Sequence, residues 1–273
     1  MNCPAPTGPG DRYAFDNSST HAADQLACLE QLLDPVTTGV LEQLTLSPYA
    51  RCLDVGAGGG SVSRWLAGHL GPGARVLATD VDTSRLAAGD GVEMRRHDIR
   101  HGPPPGGPWD LIHTRLVLLH LPGRRRLLDQ LVASLAPGGW LVVGEFSRRP
   151  LTVFTAADDD DAAVFIRVID TLIDVLTAHG ADLDWAHAVH PGMVDAGLIN
   201  VHTTEHAESC HGGSVGAYLH HVNSLQKHDD LRAAGITEAE LARFRRVVAD
   251  PAFAARSWQF VCTRGQRPAQ LPT

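Results

Sequence analysis

Asp54, Gly56, Gly58 and Gly60 are the residues whose types and spacing most directly imply chemistry. They stand in Cys-Leu-Asp-Val-Gly-Ala-Gly-Gly-Gly-Ser, 52–61, where an aliphatic run ends in a carboxylate, glycines follow, and helix-forming residues come next. That order predicts a strand, a tight turn and a helix N-terminus. The alternating glycines free the backbone for positive φ and let a ligand approach without meeting a Cβ. The helix then presents N–H groups that have no partner within it. Such a turn is suited to a polar small molecule held against main chain.

The other chemically suggestive residues point less clearly. Fifteen histidines invite a metal reading, but His202 and His206 fall in a strand pattern, and His187 and His190 come with no Cys or acid at a ligand spacing, so no metal is expected. The four acids Asp158 to Asp161 precede a long amphipathic run, where they complement a helix dipole. Five cysteines at scattered positions, with no Cys-x-x-Cys pair, fit reduced thiols in a cytosolic protein. A net charge of −8 opposes binding to phosphate backbones. No apolar run reaches membrane-spanning length, and the first ten residues lack the pattern of a signal peptide. The expectation is a cytoplasmic protein with a small-molecule substrate, with no nucleic-acid or membrane partner, and with a homodimer left open.

The elements that must position the turn follow from periodicity. Residues 1 to about 12 are rich in Pro and Gly and read as a loose tail. Tyr13 and Phe15 precede a helical pattern with Leu26, Leu29, Leu32 and Leu33 on one face, followed by a second short helix around Val40, Leu41 and Leu44 that ends at Ser47-Pro48. This segment, 1–50, is expected to be a tail and a helical cap or lid, with Tyr13 a candidate for the substrate pocket. From Arg51 strand and helix alternate, the pattern of a parallel sheet with crossover helices. Strands are expected at Arg51–Val55, Arg75–Thr79, Val92–Arg96, Trp109–Thr114 and Trp140–Phe146, with helices near Ser61–Leu70, Thr83–Ala88 and Gly123–Ala136. Asn200–Glu205 and Ser257–Thr263 read as a sixth and a seventh strand. Between them Val215, Tyr218, Leu219 and Val222 mark one helix, and Thr237-Glu-Ala-Glu240 is a capping box that opens another. The fold class is α/β: a doubly wound, Rossmann-like, seven-stranded sheet with a helical N-terminal cap and helical insertions after strand five. The domain from 51 to 273 divides into a core, 51–146, and an insertion with the last strands, 147–265. In such a sheet ligands lie at the carboxyl ends of the strands.

Spacing discriminates among ligands. A dinucleotide fingerprint needs Gly-x-Gly-x-x-Gly, yet counting from Gly56 the third position is Ser61, and from Gly58 it is Ser63. The pattern present is acid-x-Gly-x-Gly-x-Gly, as Asp54, Gly56, Gly58 and Gly60. Here the chain resembles the class I methyltransferases that use S-adenosylmethionine. Val76-Leu-Ala-Thr-Asp80-Val81 resembles their second strand, Arg96-His-Asp98-Ile99 the end of their third, Trp109 to Thr114 with Leu118-Leu-His120 their fourth, and Leu135-Ala-Pro-Gly-Gly-Trp their entry to strand five. Four motifs in order over residues 51 to 146 look most like bacterial small-molecule methyltransferases, including those of natural-product pathways.

The resemblance implies S-adenosylmethionine as cofactor and S-adenosylhomocysteine as product. It implies that Asp54 and the three glycines seat the methionine portion, that Asp80 holds the ribose diol, that Asp98 meets the adenine amino group, and that Ile99 and Val81 cover the ring. Thr114, at the end of strand four, belongs with the cofactor site. For a hydroxyl acceptor a general base is needed, and His120 is the candidate. Arg115, Glu145, Tyr218 and His221 are further pocket candidates, and the sequence does not choose among them. No Asn/Asp-Pro-Pro-aromatic tetrapeptide follows strand four, which sets aside the methylation of exocyclic amines in DNA. A cyclase or rearrangement enzyme on the same fold, or a binding module without catalysis, stay open as alternatives.

Overall fold

The computed structural model describes residues 20–86, 89–256 and 258–269. The elements run in order α1 (Ala22–Leu41), β1 (Arg51–Val55), α2 (Ser61–Leu70), β2 (Arg75–Asp80), β3 (Val92–Arg96), β4 (Trp109–Arg115), α3 (Arg124–Ala133), β5 (Leu135–Ser147), β6 (Val153–Thr155), α4 (Asp159–Ala178), α5 (Trp185–Asp195), β7 (Ile199–His206), β8 (Ser209–His211), α6 (Val215–Gln226), α7 (His228–Ala233), α8 (Glu238–Val247), β9 (Ala254–Arg256) and β10 (Gln259–Gln266). Single 3-10 turns follow β3, at Ile99–His101, and β4, at Leu118–His120.

Two compact units share the chain. The sheet unit holds Leu29–Arg148, Leu183–His206 and 258–269. Its seven strands lie in the order β3-β2-β1-β4-β5-β10-β7. β1 to β5 pair in parallel, and β10 runs antiparallel to both of its neighbours. This is the seven-stranded α/β sheet expected from the sequence. Cys52, Val76, Leu111, Val142 and Cys262 share one face and bury against Leu33, Leu41, Val62 and Leu66 of the helices. Their strand neighbours Leu53, Leu77, Ile112 and Leu141 are buried too. Alternate residues point to opposite faces of a strand, so the central strands are covered on both sides.

The helical unit holds residues 20–28, Arg149–Asp182 and the segment that begins at Ala207 and is described through Arg256. Phe165 centres it, stacked on Phe244 with ring centroids 5.8 Å apart and tilted against Phe253 at 4.9 Å. Asp158 caps α4 by accepting the Asp161 N–H at 2.8 Å. Arg243 adds ion pairs to Asp158, Asp160 and Asp161. The capping box of Thr237 and Glu240 is present at the start of α8. β6, β9 and β8 make a separate three-stranded antiparallel sheet.

Several elements differ from expectation. The two N-terminal helices are one helix that runs through Pro35, because Leu33, Val40 and Leu41 on both sides of the proline pack into the same core. Thr83–Leu86 is a turn rather than a helix, started by the Asp82 carboxylate accepting the Ser84 N–H at 2.9 Å; Ala87 and Ala88 lie outside the described residues. α3 stops at Ala133, and β5 already begins at Leu135. Trp109 pairs with Leu135 but Leu111 pairs with Trp140, so the Pro137-Gly138-Gly139 segment is an irregularity within the strand. Helix α5 went unread because Pro191 stands inside it. The tail, Tyr13 and Phe15 lie outside the described residues, as does Ser257 at the expected start of the last strand.

Candidate active site

Asp54 is the penultimate residue of β1, and its direction is set by strand parity. It shares a face with Cys52, and that face is covered by α2. The residue is 2% exposed. One carboxylate oxygen accepts from the Ser63 hydroxyl on α2, and the other meets His113 Nδ1 at 2.8 Å. His113 is its register partner on β4. Burial alone would raise the Asp54 pKa, but the His113 charge and the His113 and Ser63 hydrogen bonds hold it below its ordinary value. Asp54 therefore acts on the glycine turn from beneath, joining β1, β4 and α2.

The turn itself uses the freedom of its glycines. Gly56, Gly58 and Gly60 have φ of 67°, 55° and 79°. Gly56 and Ala57 donate to the Thr79 carbonyl at 2.8 and 3.0 Å, which fixes the turn to the end of β2. A Cβ built on Gly56 would overlap a methyl of Val117, from the segment after β4. Gly60 caps α2 and brings no side chain to its N-terminus, so the first N–H groups stay available to a ligand.

Asp80 closes the same turn from β2. One oxygen accepts the Gly58 N–H at 3.0 Å and the other the Asp82 N–H at 3.1 Å. Burial raises its pKa, partly offset by those backbone N–H groups. A carboxylate has about four lone-pair sites, so the group keeps capacity to accept from a further donor. The carboxylate is thus aligned by main chain at the carboxyl end of the sheet. The His97 N–H bonds the Asp80 carbonyl at 2.8 Å and the Arg96 side chain bonds the Val81 carbonyl at 2.9 Å, bringing the ends of β2 and β3 together. Val81 is 46% exposed, while Ile99 is buried. The Asp98 carboxylate is engaged by Arg100 in an ion pair at 2.7 Å and by the Arg100 N–H at 2.9 Å. Burial opposes ionisation of Asp98, and Arg100 outweighs it, leaving the pKa lowered.

The β4 end carries the remaining candidates. Thr114 is fully buried, and its Oγ1 has no hydrogen-bond partner among the described residues. Arg115 pairs with Asp34 of α1 at 2.8 Å and also reaches Thr37 at 3.3 Å. His120 ends the 3-10 turn; burial and the Arg124 charge push its pKa down to about 3. Its ring is neutral at neutral pH and a weak base. Glu145, at the end of β5, is fully buried.

The sequence did not single out two acids of α1. Glu30 Oε1 lies where a Cβ on Gly59 would be, so its carboxylate overhangs the turn, and Asp34 Oδ1 accepts from Ser61 at 3.0 Å. Burial and Asp34 raise the Glu30 pKa, while Arg64 and Arg115 oppose the rise. Their spacing of four residues on one helix face is the signal that marks them as a pair. Another arrangement missed is a closed ring at the ends of β5, β7 and β10. Ser147 meets His187 Nε2 at 2.8 Å and Gln259 at 3.3 Å, His187 Nδ1 lies 3.8 Å from Glu205, and Gln259 donates to Glu205.

Two candidates belong to the helical unit. Tyr218 and His221 stack on α6 with centroids 5.8 Å apart, and the Tyr218 hydroxyl reaches Asp24 at 3.4 Å. The Asp24 charge raises the Tyr218 pKa, whereas burial, Arg245 and His21 lower that of His221. Among the described residues there is no cluster of three or more potential metal ligands and no helix long and apolar enough to cross a membrane.

A family model described as a methyltransferase domain matches residues 29–189, more than half of the chain. The chain belongs to this methyltransferase family. It is 30% identical over 181 residues to trans-aconitate 2-methyltransferase of Paracidovorax citrulli, covering 59% of this chain and 69% of that one. With the ubiquinone/menaquinone biosynthesis C-methyltransferase of Pseudomonas syringae it shares 26% over 168 residues, or 55% and 66% of the two chains. Against methyltransferase str3 of Strobilurus tenacellus it is 31% identical over 107 residues, spanning only 38% of that relative's length. Among solved structures, phosphoethanolamine N-methyltransferase 2 of Haemonchus contortus with S-adenosyl-L-methionine superposes with a TM-score of 0.54 at 13% identity, covering 95% of this chain and 61% of that one. Geranyl diphosphate C-methyltransferase of Streptomyces coelicolor A3(2), with S-adenosyl-L-homocysteine, gives 0.51 at 15% identity, covering 95% and 89%. These structures share the fold. The site suits a cofactor such as the S-adenosyl-L-methionine bound in the Haemonchus structure: a glycine cradle without Cβ atoms, a carboxylate aligned for a diol, and an exposed apolar Val81.

Proposed function

We propose that this methyltransferase moves the methyl group of S-adenosylmethionine to oxygen, nitrogen or carbon of a small organic acceptor. The observation that carries the reading is the Asp80 carboxylate, held by the Gly58 and Asp82 N–H groups at the lip of the glycine turn. When bound, the cofactor supplies a methyl group on a sulfonium, already activated for transfer. The chain's task is to hold donor and acceptor in line and keep water out.

Asp80 accepts from the ribose diol, and Val81 and Ile99 flank the adenine. Asp98 serves the adenine amino group in competition with Arg100. The turn from Gly56 to Gly60 seats the methionine portion, with Thr114 nearby on β4. Asp54 supports that seat from below, and Glu30 is the acid that faces the methionine ammonium. His120 enters as a neutral hydrogen-bonding group, because a conjugate acid near 3 is a poor match for proton abstraction at neutral pH. Acceptor recognition draws on Tyr13, Tyr218 and His221 from the 1–50 and 147–265 segments. The relatives' names, one for trans-aconitate and one for quinone biosynthesis, support an organic acid or a quinone precursor as the acceptor class. A role in secondary metabolism in the cytoplasm completes the reading.

Methyl-labelled S-adenosylmethionine incubated with organic acids, demethylated quinols, phenols and amines tests it. Labelled product with an equal amount of S-adenosylhomocysteine is expected. Product without label or S-adenosylhomocysteine would identify a cyclisation or rearrangement, and binding without turnover of any acceptor a binding module.

A further inference from the structure

Glu145 stands at the carboxyl end of β5 with no exposed surface. Its Oε1 accepts the Leu119 N–H at 3.2 Å, and its Oε2 has no hydrogen-bond partner among the described residues. A buried carboxylate in that position would carry charge on an oxygen that nothing answers, which a neutral carboxyl avoids. Burial pushes its pKa up to about 8, against the opposing pull of the Leu119 and Leu118 N–H groups, the Arg124 charge and the Val117 N–H.

The segment that Glu145 holds is conformationally demanding. Leu116 sits at φ 56°, in the left-handed region that L side chains seldom occupy, and its N–H bonds the Gly144 carbonyl at 2.8 Å. The next residue, Val117, fills the space left by the absent Cβ of Gly56. Two bonds from the end of β5 thus fix a strained turn whose side chain closes on the glycine turn. Strain of this kind persists only where the surroundings over-determine it.

We propose that Glu145 is a positioning residue which, as a neutral carboxylic acid, caps the Leu116–His120 turn and so holds Val117 against Gly56, keeping the cofactor turn in shape. The proposal rests on reading the glycine turn as the cofactor seat. The groups around Glu145 are consistent with a neutral acid. Arg124, at the start of α3, is a cation acting on it; His120, at the end of the same turn, is neutral. Arg115, whose register partner is Gly144, is already paired with Asp34, and β10 presents Val261 opposite Glu145.

The test compares the wild type with Glu145→Gln and Glu145→Leu. Glutamine keeps the carbonyl acceptor and cannot ionise; leucine removes the cap. In thermal melts of the cofactor-free protein from pH 6 to 10, the wild type should lose stability as pH rises toward about 8 and level off above it, because an acid whose folded pKa is raised stabilises the fold only while protonated. Glu145→Gln should lack this loss, so that the difference between the two profiles, which cancels the titration of the other buried groups, changes as pH rises toward about 8 and is constant above it. In calorimetry with S-adenosylmethionine at pH 7, Glu145→Gln should bind within a few-fold of wild type and Glu145→Leu on the order of tenfold more weakly, with the loss appearing in KM for the cofactor more than in kcat. Parallel melting profiles for wild type and Glu145→Gln overturn the neutral acid. Cofactor binding by Glu145→Leu equal to wild type, or by Glu145→Gln as weak as a folded Glu145→Leu, overturns the positioning role. If wild type itself fails to bind S-adenosylmethionine, the proposed function falls, while the cofactor-free melts still decide the charge state of Glu145.

Discussion

Substituting Gly56 by Ala isolates the physical basis of the cofactor turn. The new Cβ meets two penalties. Gly56 has φ 67°, and holding an L residue there costs roughly 1–2 kcal/mol. The Cβ also overlaps a Val117 methyl on a segment fixed by Leu116 and Glu145, and overpacking of this kind costs about 1–3 kcal/mol. The expected loss is therefore about 2–5 kcal/mol. Gly68→Ala is the matched control: Gly68 lies in α2, has open space around it and no positive φ, so alanine should gain roughly 0.5–1 kcal/mol. All five tryptophans, at 65, 109, 140, 185 and 258, lie in the sheet unit, and their fluorescence in urea reads that unit selectively. With a slope of about 1–3 kcal/mol per molar urea, Gly56→Ala should lower the midpoint by on the order of 1–2 M and weaken S-adenosylmethionine in calorimetry. Equal midpoints for Gly56→Ala and wild type, or an equal loss in Gly68→Ala, would refute the close approach of Val117 to Gly56.

Asp80→Asn keeps the shape of the side chain and removes its charge; cofactor affinity should fall by about 1.5–3 kcal/mol, roughly 10- to 150-fold, and an unchanged calorimetric Kd would remove the ribose assignment. His113→Ala leaves Asp54 buried without its main partner and should destabilise the sheet unit by about 3–5 kcal/mol in urea. Because the folded Asp54 pKa lies below its ordinary 3.8, its contribution is present above that value and is lost as pH falls through the folded one; acid unfolding of the wild type should therefore show a Asp54-dependent limb that is missing in His113→Ala. Thr237→Ala removes the α8 capping box and should cost about 1 kcal/mol, seen by circular dichroism and not by tryptophan fluorescence, since the helical unit holds no tryptophan.

The sheet was legible because its strands and crossover helices each carry a long apolar period, and Asp80 was legible because it ends such a strand. Asp54 was legible only as a residue type. That it faces α2 and His113 depends on strand parity and register, which appear only once β1 lies beside β4. Glu30 and Asp34 reach the turn from a helix more than twenty residues upstream, a distance that local patterning does not bridge. Pro191 hid α5 because an interior proline ordinarily breaks a helix, and the three-residue strands β6, β8 and β9 are too short to show alternation. The residues around Thr83 looked helical by composition, yet the Asp82 side chain competes for the Ser84 N–H and starts a turn instead.

The position of β10 governs how this sheet can be built. It is the last strand described along the chain, yet it lies inside the sheet, hydrogen-bonded to β5 on one side and β7 on the other. During synthesis β5 and β7 emerge with a gap between them, each offering an unpaired edge until Gln259–Gln266 arrives to fill it. Such edges recruit other strands. A chain cut short before Gln259 would thus lose more than one strand: β7 would have no neighbour in the sheet, the ring joining Ser147, His187, Glu205 and Gln259 could not close, and β5 would be left open to association with other chains.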